Sequence, residues 1–198
     1  MSKEKIQDKP ANSQDTKLKI AYHIKEILLA LGVEINDSTT KTPERVAKFY
    51  YDELFKSLNF KEKPRIAAYE NSHNYSEPLI QKNIDLITTC EHHLVPIVGR
   101  VLIAYKPKNR IIGLSKLNRI VEYFSKMPQI QERLTMQIFN YLKEILKTND
   151  IAVIIEAQHY CIKIRGIKNK SSLTKTSAYD GDFNCSNARI ELNEYNRN

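Results

Sequence analysis

Apolar residues near the start of the chain are spaced for amphipathic helices. Five of these residues predict one face of a first helix: Ile20, Ile24, Ile27, Leu28 and Leu31. Gly32, which follows directly, is typical of a helix end. A second helix start is predicted at Thr42, which offers a capping hydroxyl before Pro43 and Glu44. We therefore predict a flexible polar tail over 1–17 and an N-terminal helical layer over 18–60.

The remaining segment, 61–198, combines strand and helix patterns. Apolar runs predict strands over 84–89, 97–105 and 151–157, and alternation predicts a further strand over 158–167. Amphipathic helices are predicted after Gly113, with Ser115 as the cap, and over about 129–147. The order strand–strand–helix–helix–strand–strand predicts an α+β fold with a largely antiparallel sheet. No internal repeat indicates a second domain, so 61–198 is expected to be one functional unit.

The net charge of +8 favours an anionic partner, which could be nucleic acid, a membrane surface or a phosphorylated small molecule. Basic residues are concentrated over 100–126 and 163–175, and neither segment has the aromatic interleaving of a nucleic-acid surface. No apolar run is long enough to span a membrane, and the first residues lack the apolar centre of a secretory signal. We therefore expect a cytoplasmic protein.

Metal-binding side chains occur in two short motifs, Cys90-Glu91-His92-His93 and His159-Tyr160-Cys161. Thiolate and imidazole are the ligands that zinc prefers, and the spacing of Cys90 and His93 lets both reach one ion. Cys161 can supply a third ligand, which leaves one coordination position for water and favours a catalytic zinc. The alternatives are a disulfide between the two cysteines or a pair of inert buried thiols.

The same motifs contain candidates for proton transfer. If His93 is the ligand, His92 is free as an acid–base group, because its reference pKa near 6.5 suits proton transfer at neutral pH. Glu91 either orients a metal ligand or is a solvated acid. Alternation over 158–167 predicts that four side chains share one face of a strand: His159, Cys161, Lys163 and Arg165.

Two helix starts offer candidate substrate contacts. The segment GLSKLNR (113–119) opens a helix, whose free N–H groups suit phosphate, and Lys116 and Arg119 fall on the same side. A plain helix start with solvated cations is the alternative. Glu132 lies in the first turn of the next predicted helix. It either interacts with the helix dipole or accepts two N–H bonds from a base such as guanine.

Taken in order, five segments closely resemble GTP cyclohydrolase I: TPERVA (42–47), TTCEHHLVP (88–96), IGLSKLNRIV (112–121), QIQERLT (129–135) and HYCIKIRG (159–166). The resemblance covers roughly 18–190. It implies a tunnelling fold, in which an antiparallel sheet with two helices follows N-terminal helices. It also implies a toroidal homodecamer with active sites at subunit interfaces.

The resemblance further implies a hydrolase acting on a cyclic amidine. Zinc-activated water opens the imidazole ring of GTP at C8, formate leaves, and the product is 7,8-dihydroneopterin triphosphate, the first step of tetrahydrofolate and pterin biosynthesis. It implies Cys90, His93 and Cys161 as ligands of one Zn²⁺ per subunit, with His92 and His159 as proton-transfer groups. It implies Glu132 as the guanine-binding carboxylate, assisted by Gln131. The implied ribose and triphosphate contacts are Ser115, Lys116, Arg119, Arg165 and Arg45.

The segment 175–183 departs from the family, because acids and bulky residues stand where relatives often have a small, glycine-rich run. Two other functions are weighed beside the implied one. Another pterin or deazapurine enzyme of the same fold would not need the zinc set. A basic nucleic-acid-binding protein with a structural zinc would need a fourth protein ligand, and the sequence offers none near the motifs.

Overall fold

The computed structural model of the chain describes residues 13–58 and 66–197. The chain divides into two compact units, Met1–Lys56 and Ser57–Asn198. No helix in the described ranges is long and apolar enough to cross a membrane.

The N-terminal unit contains helix α1 (Ser13–Ala30), helix α2 (Thr42–Lys48) and a π-helical segment (Phe49–Leu54). Gly32 ends α1 as predicted, with a left-handed φ of 75°. α1 begins inside the segment that was predicted as a tail, and residues 1–12 lie outside the described ranges. The predicted cap at Thr42 is wrong, because Lys41 holds the cap position and no side chain caps the helix; the proline in the first turn is confirmed.

The C-terminal unit is built on a five-stranded sheet. Four long strands pair antiparallel in the order β2 (Leu79–Cys90), β3 (Pro96–Tyr105), β6 (Ile151–His159) and β7 (Thr174–Asp180). The short strand β5 (Pro128–Gln129) runs parallel to the end of β2. A separate pair is formed by β1 (Ala68–Glu70) and β4 (Arg110–Ile112).

Two helices, α3 (Leu114–Ser125) and α4 (Gln131–Leu146), cover one face of this sheet. Their apolar sides are fully buried against it, with Leu117, Ile120, Leu134, Ile138 and Leu142 in the main core. A smaller core on the opposite face packs Leu102 and Ile154 against Phe183 and Leu192. These last two residues belong to a 3₁₀ turn (Gly181–Asn184) and to helix α6 (Ser186–Arg197). The predicted α+β class and the order strand–strand–helix–helix–strand–strand are confirmed, but the last strand is β7 (Thr174–Asp180) and not the predicted segment 158–167.

Two local predictions in this unit are wrong. Gly113, not Ser115, is the cap residue of α3, and Ser115 lies inside the first turn. The alternating segment 158–167 is not a strand, because β6 ends at His159 and a four-residue helix, α5 (Tyr160–Lys163), follows. β3 begins at Pro96, and its pairing with β6 stops at Ile97 and His159. The residues after His159 therefore have no part of β3 beside them. The predicted shared face of His159, Cys161, Lys163 and Arg165 is therefore lost.

Candidate metal and substrate site

Strand register brings the two metal-binding motifs to the same end of the sheet. Ile97 on β3 pairs with Thr88 on one side and with His159 on the other. Cys90 and Cys161 each lie two residues beyond that row, at the end of β2 and in α5. The cysteines are neighbours because both strands pair with the beginning of β3.

A tight turn after β2 brings His93 back towards Cys90. The N–H of Leu94 donates to the carbonyl of Cys90 at 2.9 Å, and Leu94 has a left-handed φ of 52°. The Nδ1 atom of His93 is then 3.9 Å from Cys90 Sγ. Together with Cys161 Sγ, these ligand atoms all lie within 4.8 Å of one another. Cys-x-x-His spacing is thus realised by a turn and not by a strand.

The donor set fits a tetrahedral metal ion of zinc's size. Bond lengths of about 2.3 Å to sulfur and 2.0 Å to nitrogen put tetrahedral donors about 3.5–3.8 Å apart, so only a small contraction is needed. Both cysteines are free thiols, which is against the disulfide alternative. Burial and the neighbouring Cys90 thiol raise the pKa of Cys161. A bound cation acts in the opposite sense and favours the thiolate.

Two of the three ligands, Cys90 and Cys161, line a cavity of about 400 Å³. Its lining combines the two cysteines with side chains that were predicted to act on the substrate: His92, Gln131, Glu132 and His159. These residues come from the β2–β3 turn, the first turn of α4 and the end of β6. The structure thus brings together groups that lie up to about seventy residues apart in the chain.

His92 and Glu91 lie on the outer side of the turn. The His92 side chain is 65% exposed, and its Nε2 atom is 3.8 Å from Glu91 Oε1. The other carboxylate oxygen of Glu91 accepts from Arg133 Nη2 at 2.5 Å. Arg133 Nε also donates to Gln129 Oε1 at 3.0 Å. Arg133 therefore anchors Glu91, a link that sequence reasoning misses because the two residues lie 42 positions apart.

His159 is held from inside the protein. Its Nε2 atom is 2.7 Å from the side-chain oxygen of Gln131, a residue with only 1% of its surface exposed. Burial lowers the pKa of His159, and the nearby Glu132 carboxylate acts in the opposite direction. The two hydroxyls that complete this network, Thr135 and Thr176, also escape sequence reasoning, because each is an ordinary helix or strand residue in the local pattern.

The predicted phosphate contacts are not among the residues lining this cavity. Ser115, Lys116 and Arg119 lie in the first two turns of α3, and Arg45 lies on α2 of the N-terminal unit. Arg165 follows α5 and donates to His93 Nε2 at 2.5 Å, which places its guanidinium at the edge of the metal ligands. The roles of these five residues stay predictions.

Comparison with known proteins identifies relatives over almost the whole chain. The sequence profile described as GTP cyclohydrolase I matches residues 20–196. A protein of Flavobacterium johnsoniae named GTP cyclohydrolase 1 is 46% identical over 178 residues, which is 89% of this chain and 80% of the relative. A protein of Vibrio cholerae with the same name is 46% identical over 179 residues, covering 90% and 82% respectively.

A third relative, from Vibrio vulnificus, is 47% identical over 171 residues, covering 86% of this chain and 79% of the relative, and carries the same name. Among solved structures, the apo form of an archaeosine synthase QueF-Like protein aligns with a TM-score of 0.43 and 11% identity, over 54% of this chain and 94% of that chain.

Proposed function

The chain belongs to the GTP cyclohydrolase I family, and we propose that it opens the imidazole ring of GTP at C8, releases formate and forms 7,8-dihydroneopterin triphosphate. The observation that carries this proposal is the meeting of Cys90, His93 and Cys161 at one point beside a cavity lined by His92, Glu132 and His159. A cytoplasmic enzyme at the first step of tetrahydrofolate and pterin biosynthesis would fit this chemistry.

We propose that the three ligands hold one Zn²⁺ per subunit. Two thiolates and one imidazole are a typical donor set for zinc, and three protein ligands leave one position open. The ion would supply Lewis-acid activation of the water that hydrolyses the ring. The chain's part is to keep both thiols and the imidazole together. β2 and β6 hold the two cysteines by pairing with the beginning of β3, and the turn after β2 brings in His93.

Glu132 is the proposed recognition element for the base. It lines the cavity from the first turn of α4. A carboxylate has two acceptor oxygens, which match the adjacent N1–H and N2–H donors of guanine. Adenine presents an unprotonated N1 at the corresponding position, so the same carboxylate would face a lone pair. This difference gives the site a physical basis for preferring GTP.

His92 and His159 are the proposed proton carriers. His92 is exposed at the mouth of the metal-binding turn, where it can give a proton to a purine nitrogen and exchange it with water. His159 is half-buried, and burial favours its neutral form, so it is suited to accept a proton during the later ribose rearrangement. Two imidazoles in different surroundings allow separate proton transfers in one site.

The triphosphate needs a basic surface, since GTP carries about four negative charges at neutral pH. We propose that Ser115, Lys116, Arg119, Arg165 and Arg45 provide it within a homo-oligomer, a toroidal decamer whose active sites lie at subunit interfaces. One observation supports an assembly: among the residues that the structure describes, β7 is an edge strand of the sheet, and an edge strand can pair with another chain.

Incubation of the purified protein with GTP tests the proposed function. Formate should be released, and a fluorescent pterin should appear after oxidation of the product. A chelator should abolish both signals, and added Zn²⁺ should restore them. The proposal fails if a zinc-loaded preparation releases no formate from GTP.

A further inference from the structure

Gln131 borders the active-site cavity, yet both ends of its side chain are engaged inside the protein. The amide nitrogen lies 3.1 Å from the carbonyl oxygen of Ile155, 3.1 Å from that of Thr174 and 3.0 Å from Thr176 Oγ1. The amide oxygen faces His159 Nε2 at 2.7 Å. These contacts occupy both amide hydrogens and one acceptor position of the oxygen, so they indicate a role inside the protein beside the predicted contact with guanine.

The surroundings decide which way the amide points. Backbone carbonyl oxygens only accept hydrogen bonds, so the end of the amide that faces Ile155 and Thr174 has to be the NH₂ group. A flipped amide would set three oxygens against one another in a buried space. The side-chain oxygen of Gln131 is consequently fixed towards His159.

Two hydroxyl groups complete the network without leaving a hydrogen unused. Thr135 Oγ1 donates to the carbonyl oxygen of Gln131 at 2.9 Å, which uses its only hydrogen. Thr176 Oγ1, 2.7 Å from Thr135 Oγ1, then donates to it, and it shares one of the two Gln131 amide hydrogens with a backbone carbonyl. The two threonines therefore connect the backbone carbonyl of Gln131 with its side-chain amide.

We propose that Gln131 is a positioning residue that keeps His159 in the tautomer with its hydrogen on Nε2. An amide oxygen cannot donate, so the 2.7 Å contact requires that Nε2 carries the hydrogen. In the neutral ring, Nδ1 is then the atom that accepts a proton from the reacting substrate. This inference rests on the proposed function for the identity of that substrate, whereas the tautomer itself depends only on the contacts of Gln131.

NMR of protein labelled with ¹⁵N-histidine tests the tautomer directly, because protonated and unprotonated ring nitrogens have well-separated ¹⁵N shifts. The zinc-loaded protein is measured in the solid state at about pH 8, above the usual histidine pKa near 6.5. The His159 signals are those absent from His159→Asn. We expect hydrogen on Nε2 alone. A wild-type His159 with its hydrogen on Nδ1 overturns the proposal, whatever the protein does to GTP.

Gln131→Met tests the functional consequence, since it keeps the length of the side chain and removes the acceptor. We expect mixed His159 tautomers, a kcat that falls by about 10- to 100-fold, and a KM for GTP and a zinc content that change little. Thr176→Val is the matched control, because Gln131 keeps both backbone carbonyl acceptors and its orientation; the His159 tautomer should be unchanged.

Each outcome for these variants decides the matter. A raised KM with unchanged kcat in Gln131→Met would assign the residue to direct GTP binding and refute the positioning role. Full retention of the Nε2–H tautomer in that variant would do the same. If Gln131→Met does not fold, the wild-type tautomer alone decides. Absence of GTP turnover in the wild type would refute the proposed function and leave the tautomer measurement standing.

Discussion

At the scale of single residues, the proposed zinc site depends on three ligand side chains, and the loss of any one of them should prevent binding. Cys161 is the ligand with the least local support, because it lies in the four-residue helix α5 and not in the tight turn that joins Cys90 to His93. Two protein donors would remain without it. Zinc sites in proteins normally have three or four protein ligands, so loss of one thiolate should empty the site.

Cys161→Ala should therefore lose bound zinc and formate release together. Metal content is measured by mass spectrometry on protein purified without added metal, and formate is measured after incubation with GTP. Cys185→Ala is the matched control, because Cys185 is exposed and its thiol donates to the backbone carbonyl of Asp182, away from the metal ligands; it should keep both properties. An active, zinc-free Cys161→Ala protein would disprove the ligand assignment.

Glu132→Gln should weaken the preference for GTP while keeping zinc. A neutral amide presents one acceptor and one donor, so it cannot accept both guanine hydrogens. Loss of one charge-assisted hydrogen bond corresponds to about 1.5–3 kcal/mol, or roughly a 10- to 100-fold fall in kcat/KM for GTP. The ratio of kcat/KM for GTP and ATP is the measurement. A variant that discriminates as well as the wild type would exclude this role.

At the scale of secondary-structure elements, the two helices on the sheet and its central strands were predictable, whereas β7, α6 and the junctions were not. α3 and α4 have apolar residues at a spacing that only a helix can bury on one side, and the start of α3 and both ends of α4 were predicted within two residues. The segment after β6 alternates as a strand would, yet β3 begins only at Pro96, so the β3–β6 pairing stops at His159 and the segment has no continuation of β3 beside it. Pairing partners are a property of the whole sheet.

The same reason explains which site residues sequence reasoning identifies. Cys90, His93 and Cys161 carry distinctive chemistry in recognisable motifs. Arg133 and Thr176 are ordinary residues whose relevance comes from contacts 42 and 45 positions away. Such contacts follow from the packing of α4 against β6 and β7 and from the position of the turn after β2, which local patterns do not specify.

The contacts of Asp150, in the turn before β6, predict that the free energy of unfolding depends on pH. Asp150 accepts from the backbone N–H of Asp182 at 3.0 Å and lies 3.3 Å from Lys108 Nζ. Burial alone raises the pKa of this carboxyl, but those contacts outweigh it, and the net pKa lies below the usual 3.8. The stabilisation is therefore present above the unfolded-state pKa and is lost as the pH falls through the lower folded-state value.

Asp150→Asn should lower the free energy of unfolding by about 1–3 kcal/mol at neutral pH, because the variant loses a charged acceptor with 14% side-chain exposure. The difference from wild type should shrink below about pH 4. The free energy of unfolding is measured by chemical denaturation at neutral pH and below about pH 4. Asp182→Asn, which removes an exposed ion pair with Lys106, is the control and should change stability little. If Asp150→Asn lowered the free energy of unfolding equally at both pH values, the ionisation of Asp150 would not be the source of the stabilisation.

At the scale of the whole molecule, the cavity and the predicted phosphate contacts are separate features of the chain. The cavity beside the metal ligands holds the groups for base recognition and proton transfer, whereas Ser115, Lys116 and Arg119 are not in its lining. GTP needs both a catalytic pocket and cations for its triphosphate. In the proposed decamer, one copy supplies the first and a neighbouring copy can supply the second, since repeated interfaces bring different surfaces of identical chains together.

Mixed assemblies test this arrangement. Cys161→Ala and Arg119→Ala should each have little activity alone, one for lack of metal and the other for lack of a phosphate contact. If the two residues serve a site from different copies, co-expression of the variants creates some interfaces in which both contributors are intact, roughly a quarter for random mixing. Formate release should then exceed the sum of the separate variants, and mixing wild type with Cys161→Ala under the same conditions calibrates subunit exchange. Activity no higher than that sum, in assemblies shown by differential tagging to contain both chains, would mean that both residues act within one copy.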